Sequence, residues 1–111
     1  MKLLTKELER EFEKQGDTSE KELLHIKVIA KFFLPPTRWT WYAFEYDPTT
    51  KMFFGCIHGT YTELGYFSLE ELKEIKDPVF GVGVERDMYF YGEPAKMQIL
   101  LWRQKKTEIN G

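Results

Sequence analysis

The sequence predicts an α+β domain. It would hold a small antiparallel sheet of four to five strands in meander order, an N-terminal helix, a short capped helix after strand four and a C-terminal helix. Three observations predict it. Apolar residues alternate with period two over 24–34, 39–46, 52–58 and 61–67, and Pro, Gly and Asp-Pro punctuation separates the runs. Ser68-Leu69-Glu70-Glu71 has the spacing of a capping box, which opens a helix sharply. Residues 6–15 lie between a capping Thr5 and a terminating Gly16.

The first helix, Lys6 to Gln15, has a narrow apolar stripe, Leu8 and Phe12, among charged positions, which predicts weak docking. A polar connection, 17–22, leads to a strand from Leu24 to Leu34. There Leu24, Ile26, Val28, Ala30, Phe32 and Leu34 share one face, and Pro35-Pro36 ends the run. The second strand, Trp39–Tyr46, has rings on both faces. Asp47-Pro48-Thr49-Thr50-Lys51 turns it back into Met52–His58. Gly59 and Thr60 turn again into Tyr61–Phe67.

Ser68 then caps a helix over Leu69–Lys76, with Phe67 and Leu72 at the two staple positions, and Asp77-Pro78 closes it. Val79–Val84 is irregular, and Met88–Tyr91 suggests a short aromatic strand. Pro94 suits a first helical turn. Residues 95–102 fit a helix through Met97, Leu100 and Leu101, or a strand through Ile99–Trp102. Arg103–Gly111 is a polar tail expected to fray. The whole chain, 1–111, is one domain.

A hydrophobic fraction of 42% supports a core without staples, and 31% charged residues are interspersed rather than segregated. A net charge of −2 excludes a non-specific duplex-DNA binder, which needs a clustered basic footprint. Cys56 is the only cysteine, so no internal disulfide forms and a reducing compartment fits. No signal region and no membrane-length apolar run occurs, so a cytoplasmic protein without membrane attachment is expected.

No motif for a cofactor or metal emerges. Cys56 and His58 share a strand face, but two ligands with only His25 beyond them do not make a zinc site. Gly81-Val82-Gly83 lacks the lysine and helix start of a phosphate loop. Glu85-Arg86-Asp87 suits an ion-pair network with Glu45 or Glu63. Glu63, Glu85 and Asp87 are also the carboxylates that a small hydrolase would use.

The aromatic fraction, 16%, is high for a domain of this size. Trp39, Trp41, Tyr42 and Tyr66, with Arg38 beside them, are candidates for a binding face. Rings interleaved with cations would suit a protein epitope or single-stranded nucleic acid; the alternative is a ring-filled core.

Several strings carry a resemblance: Lys2-Leu3-Leu4-Thr5-Lys6-Glu7-Leu8, Trp39-Thr40-Trp41-Tyr42-Ala43, Glu63-Leu64-Gly65-Tyr66-Phe67-Ser68-Leu69 and Glu85-Arg86-Asp87. Over residues 2–91 the chain resembles an uncharacterised bacterial domain-of-unknown-function family met on plasmids, conjugative elements and phages. Residues 92–111 depart from that pattern. The resemblance implies a mobile-element setting and no activity. The expectation is a non-enzymatic accessory protein that docks on a protein or nucleic-acid component of DNA metabolism or host defence. The partner expected first is a protein, with single-stranded nucleic acid as the alternative.

Overall fold

A computed structural model describes residues 2–110. Helix α1 (Lys6–Gln15) precedes a 3-10 turn (Leu23–His25), β1 (Lys27–Val28), β2 (Ala30–Phe33), β3 (Thr40–Asp47), β4 (Met52–His58) and β5 (Thr62–Ser68). Helix α2 (Leu69–Glu74), β6 (Glu85–Arg86), β7 (Glu93–Pro94) and α3 (Lys96–Asn110) complete the chain. Five antiparallel strands form the main sheet in the order β5-β4-β3-β2-β6, and β1 pairs with β7 in a separate two-stranded ribbon. The α+β class and the meander β2-β3-β4-β5 are therefore as the sequence predicts.

Each sheet face carries its own core. On the first face α1, α2 and the segment Leu3–Leu4 cover Ala30, Phe32, Trp41, Ala43, Phe53 and Phe67. Phe53 is the hub there, with ring centroids 4.8–5.7 Å from Tyr46, Phe32, Phe67 and Phe12. On the second face α3 and the β1–β7 ribbon cover Phe44 and Cys56, with Val28, Ala95 and Ile99 packed among them.

Two extra residues separate these cores. The β3–β4 register shifts between Ala43 and Glu45, so Phe44 is bulged. Ile29, between β1 and β2, donates its amide to Ala43 O (2.8 Å), although Ala43 already pairs with Ala30. The single strand predicted over 24–34 is thereby corrected. Ile26 and Val28 join the second core, Ala30, Phe32 and Leu34 the first, and Leu24 is exposed. The breaks leave main-chain groups to satisfy, and Gln15 does so. Its amide donates to Lys27 O (2.8 Å) and Phe44 O (2.7 Å) and accepts from Lys27 N (2.9 Å). With Phe12 buried as well, α1 is firmly docked, contrary to the weak docking its sparse stripe suggests.

Thr5 Oγ1 caps α1 at Leu8 N (3.2 Å), and Gly16 ends it at φ 61°. Ser68 Oγ accepts from Glu70 N (3.1 Å) and Glu71 N (3.2 Å), as the capping signature requires. Three other expectations fail. Met88–Tyr91 is a turn, because Asp87 Oδ1 accepts from Tyr89 N (3.0 Å) and Asp87 O accepts from Phe90 N (3.3 Å). Pro94 lies in β7 rather than in a first helical turn. Residues 103–110 continue α3 instead of fraying, and Gly111 lies outside the described residues. Ile99–Trp102 is helical.

Candidate functional site

The predicted binding residues separate onto the two faces. Trp39 is 39% exposed and stacks on buried Trp41, ring centroids 5.8 Å apart at 28°, and Arg38 is exposed beside it. A Cβ on Gly59 would fall 2.2 Å from the Trp39 ring, so glycine makes that seat possible. Tyr42 faces the other way, edge-on to His58 (5.4 Å, 84°) with Lys31 Nζ 5.6 Å from its ring centre. Tyr66, 71% exposed, rests on Phe54 with centroids 5.0 Å apart.

The predicted carboxylates are dispersed too. Glu63 lies on edge strand β5, while Glu85 and Asp87 lie on or beside the opposite edge strand, β6. Four strand spacings, roughly 19 Å, separate those edges. No acid–base pair spans that distance. Asp87 instead meets Lys31 Nζ at 3.7 Å, and its amide donates to Lys31 O (2.9 Å). Arg86 Nε donates to Lys2 O (3.3 Å), which ties the edge to the N-terminal segment. Glu45 accepts from Thr18 N (3.0 Å) and Thr18 Oγ1 (2.6 Å).

Cys56 and His58 are joined by α3. His58 Nε2 lies 2.6 Å from Gln98 Oε1, and because an amide oxygen only accepts, Nε2 carries the proton. His58 Nδ1, 3.2 Å from Thr62 Oγ1, then accepts from the hydroxyl. Cys56 Sγ donates to Gln98 O at 3.7 Å. A ring nitrogen that already bears its proton cannot take one from the thiol, 3.7 Å away. Burial also pushes the Cys56 thiol up to about 11, so it is not a thiolate at neutral pH. This chain of polar contacts fastens α3 to β4. Among the described residues, no group of three or more His, Cys, Asp or Glu side chains is placed to hold a metal ion.

The concave region lies elsewhere. Two adjoining clefts, about 550 and 1050 Å³, share Asp17, Glu45, Phe54 and Tyr66. The larger runs from α1 to the β3–β4 turn, and Glu9, Glu13, Asp17, Glu45 and Asp47 line it beside Tyr46, Phe54 and Tyr66. No Lys or Arg among the described residues lines it. Ser19, through its amide and hydroxyl, holds the Asp17 carboxyl below the usual carboxylate range. Burial, with Glu9, Asp47 and Glu70 nearby, raises the Tyr46 phenol. Carboxylates and the negative faces of rings act together on a cation. Lys21 and Arg103 line the smaller cleft, where Trp102 and Ile99 of α3 form a wall.

Sequence reasoning singles out Tyr66 in this region but not its acidic surroundings. It also passes over Val79 and Phe80, 78% and 70% exposed. Buried Asp77 holds them in a tight turn, its Oδ2 accepting from Val79 N (3.1 Å) and Phe80 N (2.6 Å). The signal for it is Asp77-Pro78 ahead of two apolar residues and Gly81, a turn that leaves its centre in water.

Residues 3–108 match the model of a family described as Protein of unknown function (DUF2958), and the chain belongs to that family. The match runs past Tyr91, so most of the C-terminal segment read as departing from the family pattern lies within it. No curated protein and no solved structure matches the chain. Among the described residues, no helix is long and apolar enough to cross a membrane.

Proposed function

We propose that this chain is a non-enzymatic docking protein that receives a basic segment of a protein partner in the cleft beside Tyr66. The setting we propose is a mobile genetic element, a plasmid, conjugative element or phage, with the partner drawn from DNA metabolism or host defence and the chain acting in the cytoplasm. That setting rests on the family resemblance of residues 2–91. The docking reading rests on one observation: an exposed tyrosine stands on Phe54 over a cleft lined by five carboxylates. An arginine or lysine side chain entering there gains both charge attraction and a ring face. A phosphate backbone would meet repulsion, which ranks single-stranded nucleic acid second. That second reading draws on Trp39, with exposed Arg38 beside it, on the other face. A hydrolase is ranked last, because its carboxylates lie on opposite edges.

Affinity capture from the native host, with and without nuclease, separates the readings. A nuclease-resistant protein captured by the wild type, and bound about 2 kcal/mol more weakly by Tyr66→Ala, is the expected result for an aromatic anchor. In the same terms, an arginine-rich peptide should perturb Tyr66 in an NMR titration and oligothymidine should not. Loss of every partner on nuclease treatment, or binding indifferent to Tyr66, overturns the reading.

A further inference from the structure

The two edges of the main sheet are finished differently. Strand β6 has two residues, leads into the Asp87 turn and is tethered through Arg86, so it offers little to a passing strand. Strand β5 has seven residues, and all seven pair with β4 without a register shift. It pairs with no other strand. Long flat edges are normally guarded by Lys, Pro or a bulge, and β5 contains none of these.

We infer that β5 is a pairing edge for a second copy of this chain, with a two-fold axis through Gly65 and one ten-stranded antiparallel sheet as the product. The sequence of the strand argues for a copy of itself. Centring on Gly65 is the one antiparallel register that uses every residue of Thr62–Ser68. It sets Leu64 opposite Tyr66, Glu63 opposite Phe67 and Thr62 opposite Ser68, giving an aliphatic–aromatic contact and a hydroxyl pair on each side of the axis. The only charged side chain, Glu63, meets no like charge. Gly65 stands where the two strands meet, and a Cβ there would touch nothing within 4 Å. The pairing is an isologous contact, closed at two copies. It is independent of the cleft reading, since it is made by main-chain groups of β5.

The test uses Gly65→Cys in a Cys56→Ser background. Residues opposed in an antiparallel pair have Cα atoms about 4.5–5.5 Å apart, within reach of a disulfide. Mild oxidation should convert most of the Gly65→Cys protein to a linked dimer on a non-reducing gel. Glu63→Cys, whose counterpart lies four residues away along the partner strand, should remain unlinked. Wild-type protein should show a concentration-dependent dimer in sedimentation velocity, with β5 amides gaining protection from hydrogen exchange as dimer forms. A chain that stays monomeric at high concentration overturns the proposal. So does a dimer whose protected amides lie elsewhere, or one in which both cysteine variants link equally.

Discussion

The two faces of the sheet bury side chains of different kinds. The first is closed by rings packed on rings, with Phe53 touching four others. The second is closed partly by apolar packing and partly by the contacts that Gln98 makes with Cys56 and His58, and it opens at one side into the acidic cleft. A polar closure of this kind holds a helix in one orientation while leaving concave surface beside it. A ring-packed closure leaves none. The face that contributes most to stability is therefore not the face with the candidate site, and substitutions should separate the two properties.

The largest effect should come from the first face. Phe53→Ala removes the hub of the ring cluster and should cost about 4 kcal/mol in chemical denaturation, as large-to-small changes in tight cores do. A loss near 1 kcal/mol would mean that the rings re-pack and the contrast between faces is weaker than drawn. The second face should announce itself through pH. The Cys56 thiol is raised in the folded protein from 9.0 to about 11, so the native state holds its proton longer than the unfolded chain does. Its contribution is fully present below pH 9, declines as the pH rises and is lost through about 11. About 2–3 kcal/mol should go across that window, and Cys56→Ala should flatten this part of the profile. Gln15→Ala, at the boundary between the cores, should cost roughly 1–3 kcal/mol by orphaning Lys27 and Phe44 main-chain groups. Ser68→Ala should cost about 1 kcal/mol through loss of the α2 cap, measured as a lower melting temperature. Smallest of all, Tyr66→Ala should shift stability by no more than about 0.5 kcal/mol, since its ring is mostly in water. A large loss there would assign Tyr66 to the core.

The strands and the α2 cap are legible in the sequence because their signals are local: alternation, turn residues, a serine three residues before a glutamate. The illegible features depend on distant neighbours or on competing local bonds. The aromatic run 88–91 has strand composition, yet the Asp87 carboxylate takes the Tyr89 amide and makes a turn. Gln15 looks like one more polar helix residue until Lys27 and Phe44 are brought to it. The tail after Arg103 is polar, which suggests fraying, but its residues include good helix formers and the helix continues through them. Tyr66 can be chosen as a ring on a strand. Its companions Glu9, Glu13, Asp17 and Asp47 arrive from α1, the loop after it and the β3–β4 turn, and only the tertiary fold gathers them.

The two bulged residues have a consequence for chain length. Beyond Phe44 the ladder resumes with Glu45 opposite Phe54, the neighbour of Gly55 that already faces Ala43, and on either side of Ile29 the residues Val28 and Ala30 belong to opposite faces. Removing either residue would therefore leave a regular alternation in which every remaining side chain keeps the face it has now. A one-residue deletion within β4 or β5, whose pairing has no bulge, would turn everything beyond it inside out. Indels should thus be tolerated unevenly along the sheet: Ile29 and Phe44 are the two places in its strands where a codon can be lost without inverting the rest of the strand.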